Sequence, residues 1–253
     1  MEILKIKAVV KIYGKGGDVT RAVDGISFSI NQSEFVSIMG VSGSGKTTLL
    51  NCIATIDTVS AGSIFVDGKD ITQMPEKVLA DYRRDKLGFI FQEYNLLDTL
   101  TVFENIALVL SLRGITGIEI EKRVEDVLAL FDITELRDKF PFEISGGERQ
   151  RTACARALIG NPSLIMADEP TGALDSKNSK NLMHLLQKMN LEHGATILTV
   201  THDAKVASYA SRVLFLKDGK LYNEIYKGEK TDEQFFKEIL DVNTMQGGER
   251  YDG

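Results

Sequence analysis

The chain has 253 residues, 43% of them hydrophobic, enough for one large domain or a core with a subdomain. Its net charge of −6 and pI near 5.3 weigh against nucleic acid or an anionic bilayer as the main partner, since either selects a basic face. Glycines (22) far outnumber prolines (4), which suits several tight backbone sites and few rigid linkers.

"MEILKIKAVV" is charged and alternating, a strand-like start unlike the basic end and apolar run of a signal peptide. Residues 1 to 39 read as an antiparallel β region with a Gly-rich break at "YGKGGD". "SIFVDGKDI" and "LFLKDGKLY" each set Asp-Gly between apolar runs, a hairpin signal. Three apolar runs, "EFVSIMG", "SLIMADEP" and "TILTVTHD", end abruptly in residues of functional type. Between the last two, Leu182, Leu185, Leu186 and Met189 recur at helical spacing. Buried strands alternating with amphipathic helices predict an α/β layer with a mainly parallel sheet.

From Leu96 to Leu158 the chain reads as almost wholly helical, with Val124, Val127, Leu128 and Phe131 on one stripe. That is more than a single crossover needs, so it is expected to be an inserted helical subdomain. After Tyr226 a short amphipathic helix is expected, with Thr231 and Gln234 spaced as a capping box ahead of Phe235, Phe236, Ile239 and Leu240. The last dozen residues read as frayed. Cys52 and Cys154, in predicted helices without a CxxC, read as buried thiols of a reducing compartment. Apolar runs such as "IALVLSL" are too short to span a bilayer, so a soluble cytoplasmic protein is expected.

"GVSGSGKT", Gly40 to Thr47, follows an apolar strand and precedes a helix, the context a phosphate-binding P-loop requires. Gly40, Gly43 and Gly45, with Ser42 and Ser44 between them, let backbone amides wrap phosphates. Lys46 reaches the β- and γ-phosphates, and the Thr47 hydroxyl can ligate Mg²⁺. "SLIMADEP" supplies a second strand ending in acids: Asp168 can hold Mg²⁺ through water, and Glu169 can take a proton from an attacking water. His202 stands at the end of a third core strand, where ligands bind in open α/β sheets. It either donates to the γ-phosphate or is structural or solvated, as His184 and His193 are expected to be. Gln92 ends the run in "GFIFQEYNLL", where an amide can bind Mg²⁺ or water at the entrance to the helical insertion. Tyr13 either stacks on a base or packs on its own sheet. In "ISGGERQRTACARAL", Ser145 with the amides of Gly146 and Gly147 at a helix start makes a second anion cradle, surplus to one chain's needs.

Taken together, "GVSGSGKT", Gln92, "ISGGERQ", "IMADEP", "TGALD" and "THD" resemble, in order and spacing, the nucleotide-binding subunits of ATP-binding-cassette (ABC) transporters. The resemblance covers about Met1 to Tyr226. It implies a P-loop NTPase fold in which residues 1–95 and 159–226 form a RecA-like core with an antiparallel β subdomain. Residues 96–158 would be the α-helical subdomain bearing the signature motif, and 227–253 a C-terminal tail. It further implies that ATP and Mg²⁺ are the cofactors and that Tyr13 stacks on adenine. The P-loop residues through Thr48 would bind ATP, with Thr47, Gln92 and Asp168 serving the metal. Catalysis would rest on Glu169 as base, His202 as switch, Lys46 and Gln92. Ser145, Gly146, Gly147 and Glu148 would meet the ATP of a second copy, and Asp175 would contact that copy.

"FIFQEYNLLDTLTVFENI", "ADEPTGALDSK" and the Phe-Phe tail are most similar to the bacitracin-resistance type, related to lipoprotein-release and macrolide-export ATPases. That implies a homodimer on ATP and a membrane permease with a large extracytoplasmic domain. The permease would dock at Tyr94, Asn95, Leu96 and Leu97 and hold the ATPase at the inner face of the cell membrane; core packing is the alternative for at least one leucine. A sensor histidine kinase would join through the permease, and nucleic acid is not an expected partner. The family's departures here, Ile144 for leucine, Glu148 for glutamine and Gly172 for serine, remove no group that touches nucleotide. The alternatives are an ATPase of lipoprotein release, macrolide export or cell-wall signalling, and more remotely a soluble ABC ATPase of DNA repair or translation.

Overall fold

A computed structural model describes residues 1–14 and 19–247. The Gly-rich break at Lys15–Asp18 and residues 248–253 of the expected frayed end lie outside them. Two sheets organise the chain. The first is antiparallel, in the order β2 (Thr20–Asn31), β1 (Glu2–Tyr13), β4 (Ala61–Val66), β5 (Lys69–Asp70). The second has six strands, in the order β10 (Lys220–Tyr226), β9 (Arg212–Lys217), β3 (Phe35–Met39), β8 (Ile197–Thr201), β7 (Leu164–Asp168), β6 (Leu87–Ile90). Its neighbours are parallel except at the β9–β10 hairpin. Asp67-Gly68 and Asp218-Gly219 turn the two expected hairpins, with all four residues at positive φ.

The expected antiparallel region of residues 1 to 39 ends earlier than its composition suggests. Phe35–Met39 is buried at every position and pairs in parallel with β8 and β9. A strand apolar on both faces must lie between two layers, and only the parallel sheet offers that. Alternation then sends Val36, Ile38, Met166, Leu198 and Val200 to the face covered by α1 (Lys46–Ile53) and the antiparallel sheet. Phe35, Ile165, Ala167 and Ile197 go to the opposite face, against the helical layer.

That layer comprises α3 (Val102–Leu112), α4 (Ile118–Leu130), α5 (Gly146–Ile159) and α6 (Ser176–His193), while α2 (Glu76–Lys86) precedes β6. The segment from Leu96 to Leu158 is less helical than expected. Positive-φ glycines at 114 and 117 separate α3 from α4, and only two short 3₁₀ turns lie between Leu130 and Gly146. The stripe on α4 does bury Val124, Leu128 and the following Phe131. The tail helix α8 (Asp232–Gly247) has sixteen residues, longer than its sequence pattern implies, and runs into the stretch read as frayed. Thr231 and Gln234 form the expected reciprocal cap, at 2.9 and 3.2 Å. Phe235 and Ile239 are fully buried against Met39 and α7 (Ala204–Ala207), whereas Leu240 is exposed.

Candidate active site

The P-loop leaves β3 at Met39 and enters α1 at Lys46. Gly45, with φ of 100°, packs against the Ala22 carbonyl and Gly40 against the Leu216 carbonyl, so neither position has room for a side chain. The loop forms one wall of a cavity of about 850 Å³ lined by Gly40–Gly43, Gly45–Thr48, Glu169 and His202. Ser44 is instead buried beneath it, its hydroxyl without a partner among the described residues. Lys46 is nearly buried and donates to the carbonyls of Gly40 (2.8 Å) and Val41 (3.0 Å). Burial pushes its ammonium below the ordinary lysine range, against the opposing pull of Glu169 and Asp168.

β7 delivers the two acids to this wall. Asp168 accepts a hydrogen bond from Thr47 Oγ1 at 3.3 Å. Burial, helped by the charge of Glu169, raises its carboxyl above the usual range, while Thr47 and Lys46 pull the other way. A hydroxyl and a desolvated carboxylate beside a phosphate loop suit Mg²⁺, a hard cation that takes few protein ligands and keeps waters and phosphate oxygens. The described residues hold no cluster of three or more acidic, His or Cys ligands, as a dedicated metal cage would need.

Glu169 sits at a φ of 42°, uncommon for a residue with a side chain. The turn is held on several sides: the Glu169 amide donates to Val200, its carbonyl accepts from Gly172, and the buried Gln150 of α5 donates to the Pro170 carbonyl. The Glu169 carboxylate accepts from Thr201 Oγ1 at 3.0 Å and meets His202 Nδ1 at 2.8 Å. A base fixed by two partners and facing a phosphate cavity can orient and deprotonate a water. Thr201 was missed from the sequence although it stands directly before His202, because a core-strand threonine carries no signal of its own.

Several expected residues lie elsewhere. Tyr13 does not line the cavity; its hydroxyl donates to Asp57 Oδ2 at 2.6 Å, and Lys11 bridges Asp57 to its ring. The hydrogen bond to Asp57 and burial raise the Tyr13 phenol above its ordinary value. Gln92 does not line the cavity either; its amide packs over Gly172, where a side chain at 172 would collide with it. Tyr94 and Asn95 form a left-handed turn, with φ of 63° and 48°. Arg156 of α5 holds both their carbonyls, and Arg149 lies over the Tyr94 ring at 5.3 Å. Leu96 is half-buried and Leu97 exposed, so neither is a core leucine.

Ser145 caps α5, and Ser145 to Glu148 line none of the phosphate cavity of their own chain. Within one copy Glu148 has a local partner. Its carboxylate accepts from the Ser145 amide (2.7 Å) and hydroxyl (2.8 Å), and those bonds hold it below the usual carboxylate range. Asp175 caps α6 by accepting from the Asn178 amide at 2.8 Å, and Asn178 in turn abuts Gly147.

A P-loop, two acids at a second strand end and a histidine at the end of the strand between them, all on a parallel run of strands, define a P-loop nucleoside triphosphatase. The family model described as ABC transporter matches residues 23–172. The chain is 49% identical over 252 residues to the bacitracin export ATP-binding protein BceA of Halalkalibacterium halodurans, covering 100% of both. It is 49% identical over 250 residues to the ABC transporter ATP-binding protein YxdL of Bacillus subtilis, covering 99% and 96%. Among solved structures it matches dimeric MJ0796 of Methanocaldococcus jannaschii, bound to ADP and Pi. That match has TM-score 0.80 and 40% identity, over 88% of this chain and 98% of that one. The chain belongs to the ABC transporter family, as an ATP-binding subunit with the ABC ATPase fold, and it is an ATP hydrolase. No helix among the described residues is long and apolar enough to cross a membrane.

Proposed function

We propose that two copies of this chain close on two ATP molecules and thereby drive a membrane permease that protects the cell from cell-wall-active peptides of the bacitracin kind. The observation that carries the reading is the orphan cradle at α5. Ser145 caps a helix start at which the Gly146 and Gly147 amides and the positive end of the helix dipole face outward, yet no phosphate site of their own chain includes them. A second copy supplies the missing phosphate. On closure the Ser145 hydroxyl leaves Glu148 for the γ-phosphate, Asp175 meets the partner, and Tyr13 turns to the adenine. Gln92 moves from Gly172 toward the metal when the helical layer swings. Thr47 and Asp168 would hold Mg²⁺, which neutralises phosphate charge. Lys46 leaves its two carbonyls for the phosphates, Glu169 deprotonates the water, and His202 donates to the leaving charge. The names of the similar proteins BceA and YxdL support the transporter role, and that of BceA the peptide class.

The permease is expected to carry a large outer domain and to connect to a sensor histidine kinase; this chain sits beneath it at the inner membrane face. Docking falls at Tyr94 to Leu97, beside a cleft of about 280 Å³ lined by Phe89, Phe91, Val109 and Leu112. Exchanging Tyr94 and Leu96 for charged residues should abolish permease pulldown and resistance to bacitracin while leaving the isolated ATPase within about twofold of the parent, since neither residue lines the nucleotide cavity. Full resistance in that variant would remove the docking site; resistance unaffected by loss of the whole chain would remove the peptide assignment.

A further inference from the structure

Two polar side chains in the wall of the ATP cavity belong to no nucleotide-binding motif: Lys217, at the end of β9, and Asn243, on the tail helix α8. The helix is firmly seated. Phe235 and Ile239 are fully buried, and Lys227–Asp232 and Lys230–Glu238 ion pairs fasten its first two turns. Asn243 lies one turn beyond Ile239 on the same stripe, so the burial that docks the helix also aims this amide. It arrives half-buried at Met39, the residue immediately before the P-loop, with Nδ2 at 3.7 Å from the thioether sulfur.

A thioether is a weak acceptor, and an amide has two N–H groups and a carbonyl to satisfy. Among the described residues the sulfur is the only partner of the Asn243 side chain. A half-desolvated amide left underused in a cavity wall gains by meeting a polar ligand. Its position in the cavity sets which part of the ligand. Lys217 follows Leu216, whose carbonyl packs on Gly40, and Asn243 touches Met39. Both therefore stand at the start of the P-loop, where Lys46 Nζ is held by the Gly40 and Val41 carbonyls. Ala22, whose carbonyl packs on Gly45, and Thr48 stand instead where the loop enters α1.

We propose that α8 delivers Asn243 to the phosphate end of the ATP cavity, where it donates to the terminal phosphate beside the positive charge of Lys217. The tail is then part of the nucleotide site, and it discriminates between the triphosphate and the diphosphate. The test is calorimetric titration of the full-length chain with a non-hydrolysable ATP analogue and with ADP. Asn243→Ala should weaken analogue binding about tenfold to a hundredfold, the range of one hydrogen bond to a charged group, and leave ADP within about twofold. Asn243→Asp, nearly the same shape, should weaken the analogue further by setting a negative charge against phosphate. Lys217→Ala, at an exposed position that does not disturb folding, should act in the same direction as Asn243→Ala. Analogue affinity unchanged across the three variants would overturn the proposal. So would equal losses of analogue and ADP with a lowered melting temperature, which mark a purely structural role.

Discussion

Replacing Asn105 by Asp should destabilise the protein in a pH-dependent way, because this amide builds the loop that presents the proposed docking residues. Asn105 is 1% exposed. Its Oδ1 accepts from the Leu97 amide at 2.8 Å, and its Nδ2 donates to the carbonyls of Leu97, Leu100 and Thr101 at 3.0, 3.0 and 2.9 Å. Aspartate at this position would set an acceptor oxygen against three carbonyl oxygens, so it folds well only when protonated. Burial and those carbonyls should raise the folded pKa by roughly 3 units. That corresponds to about 4 kcal/mol near neutral pH, from a total stability of about 5–15 kcal/mol. A raised folded pKa means the native state holds its proton more tightly than the unfolded chain. The loss is therefore small below about pH 4 and grows as pH rises toward the folded value. Asn105→Ala removes the same bonds without a titrating group and should cost about 2–4 kcal/mol independently of pH. Urea unfolding of both variants at pH 4.5, 6 and 7.5 separates the two. An equal loss for Asn105→Asp at pH 4.5 and 7.5 would refute this reading of the loop.

Lys46→Ala should reduce ATP turnover about a hundredfold or more, as removal of a charge-stabilising group does; steady-state hydrolysis with near-parental turnover would contradict the phosphate assignment. The two cysteines should be inert in the folded protein at pH 8. Burial pushes the Cys52 thiol up to about 11 and the Cys154 thiol up to about 12, so neither holds appreciable thiolate there. A disulfide reagent should titrate both only after denaturation, and rapid reaction of either under native conditions would contradict its placement in the core.

What could be read from the sequence was local. The P-loop declares itself because eight consecutive residues carry the chemistry and their flanks carry the strand and helix. The Asp-Gly hairpins declare themselves because two adjacent residues set the turn. The sheet to which Phe35–Met39 belongs could not be read the same way, since an apolar strand is the same string in either sheet and its partners lie far along the chain. The same holds within the site. Tyr13 was legible as an aromatic near the break, but its acceptor Asp57 lies 44 residues away. Asn243 stands 204 residues from the Met39 it touches, and nothing in a polar tail marks it as a cavity residue. The fold brings such pairs together through tertiary packing, which no window of residues encodes by itself.

The claim at the centre of this account is that the cradle at Ser145 serves the phosphate of a second copy. Its most direct test is the Glu169→Gln variant, which keeps the side chain's shape and its Thr201 contact but removes the base. With ATP and Mg²⁺ this variant should bind nucleotide without turning it over and elute from gel filtration as a stable dimer. Adding Ser145→Arg, which fills the cradle, should return it to a monomer that still binds ATP. A Glu169→Gln protein that stays monomeric at high protein and ATP concentration, or a dimer indifferent to Ser145→Arg, would contradict the composite site.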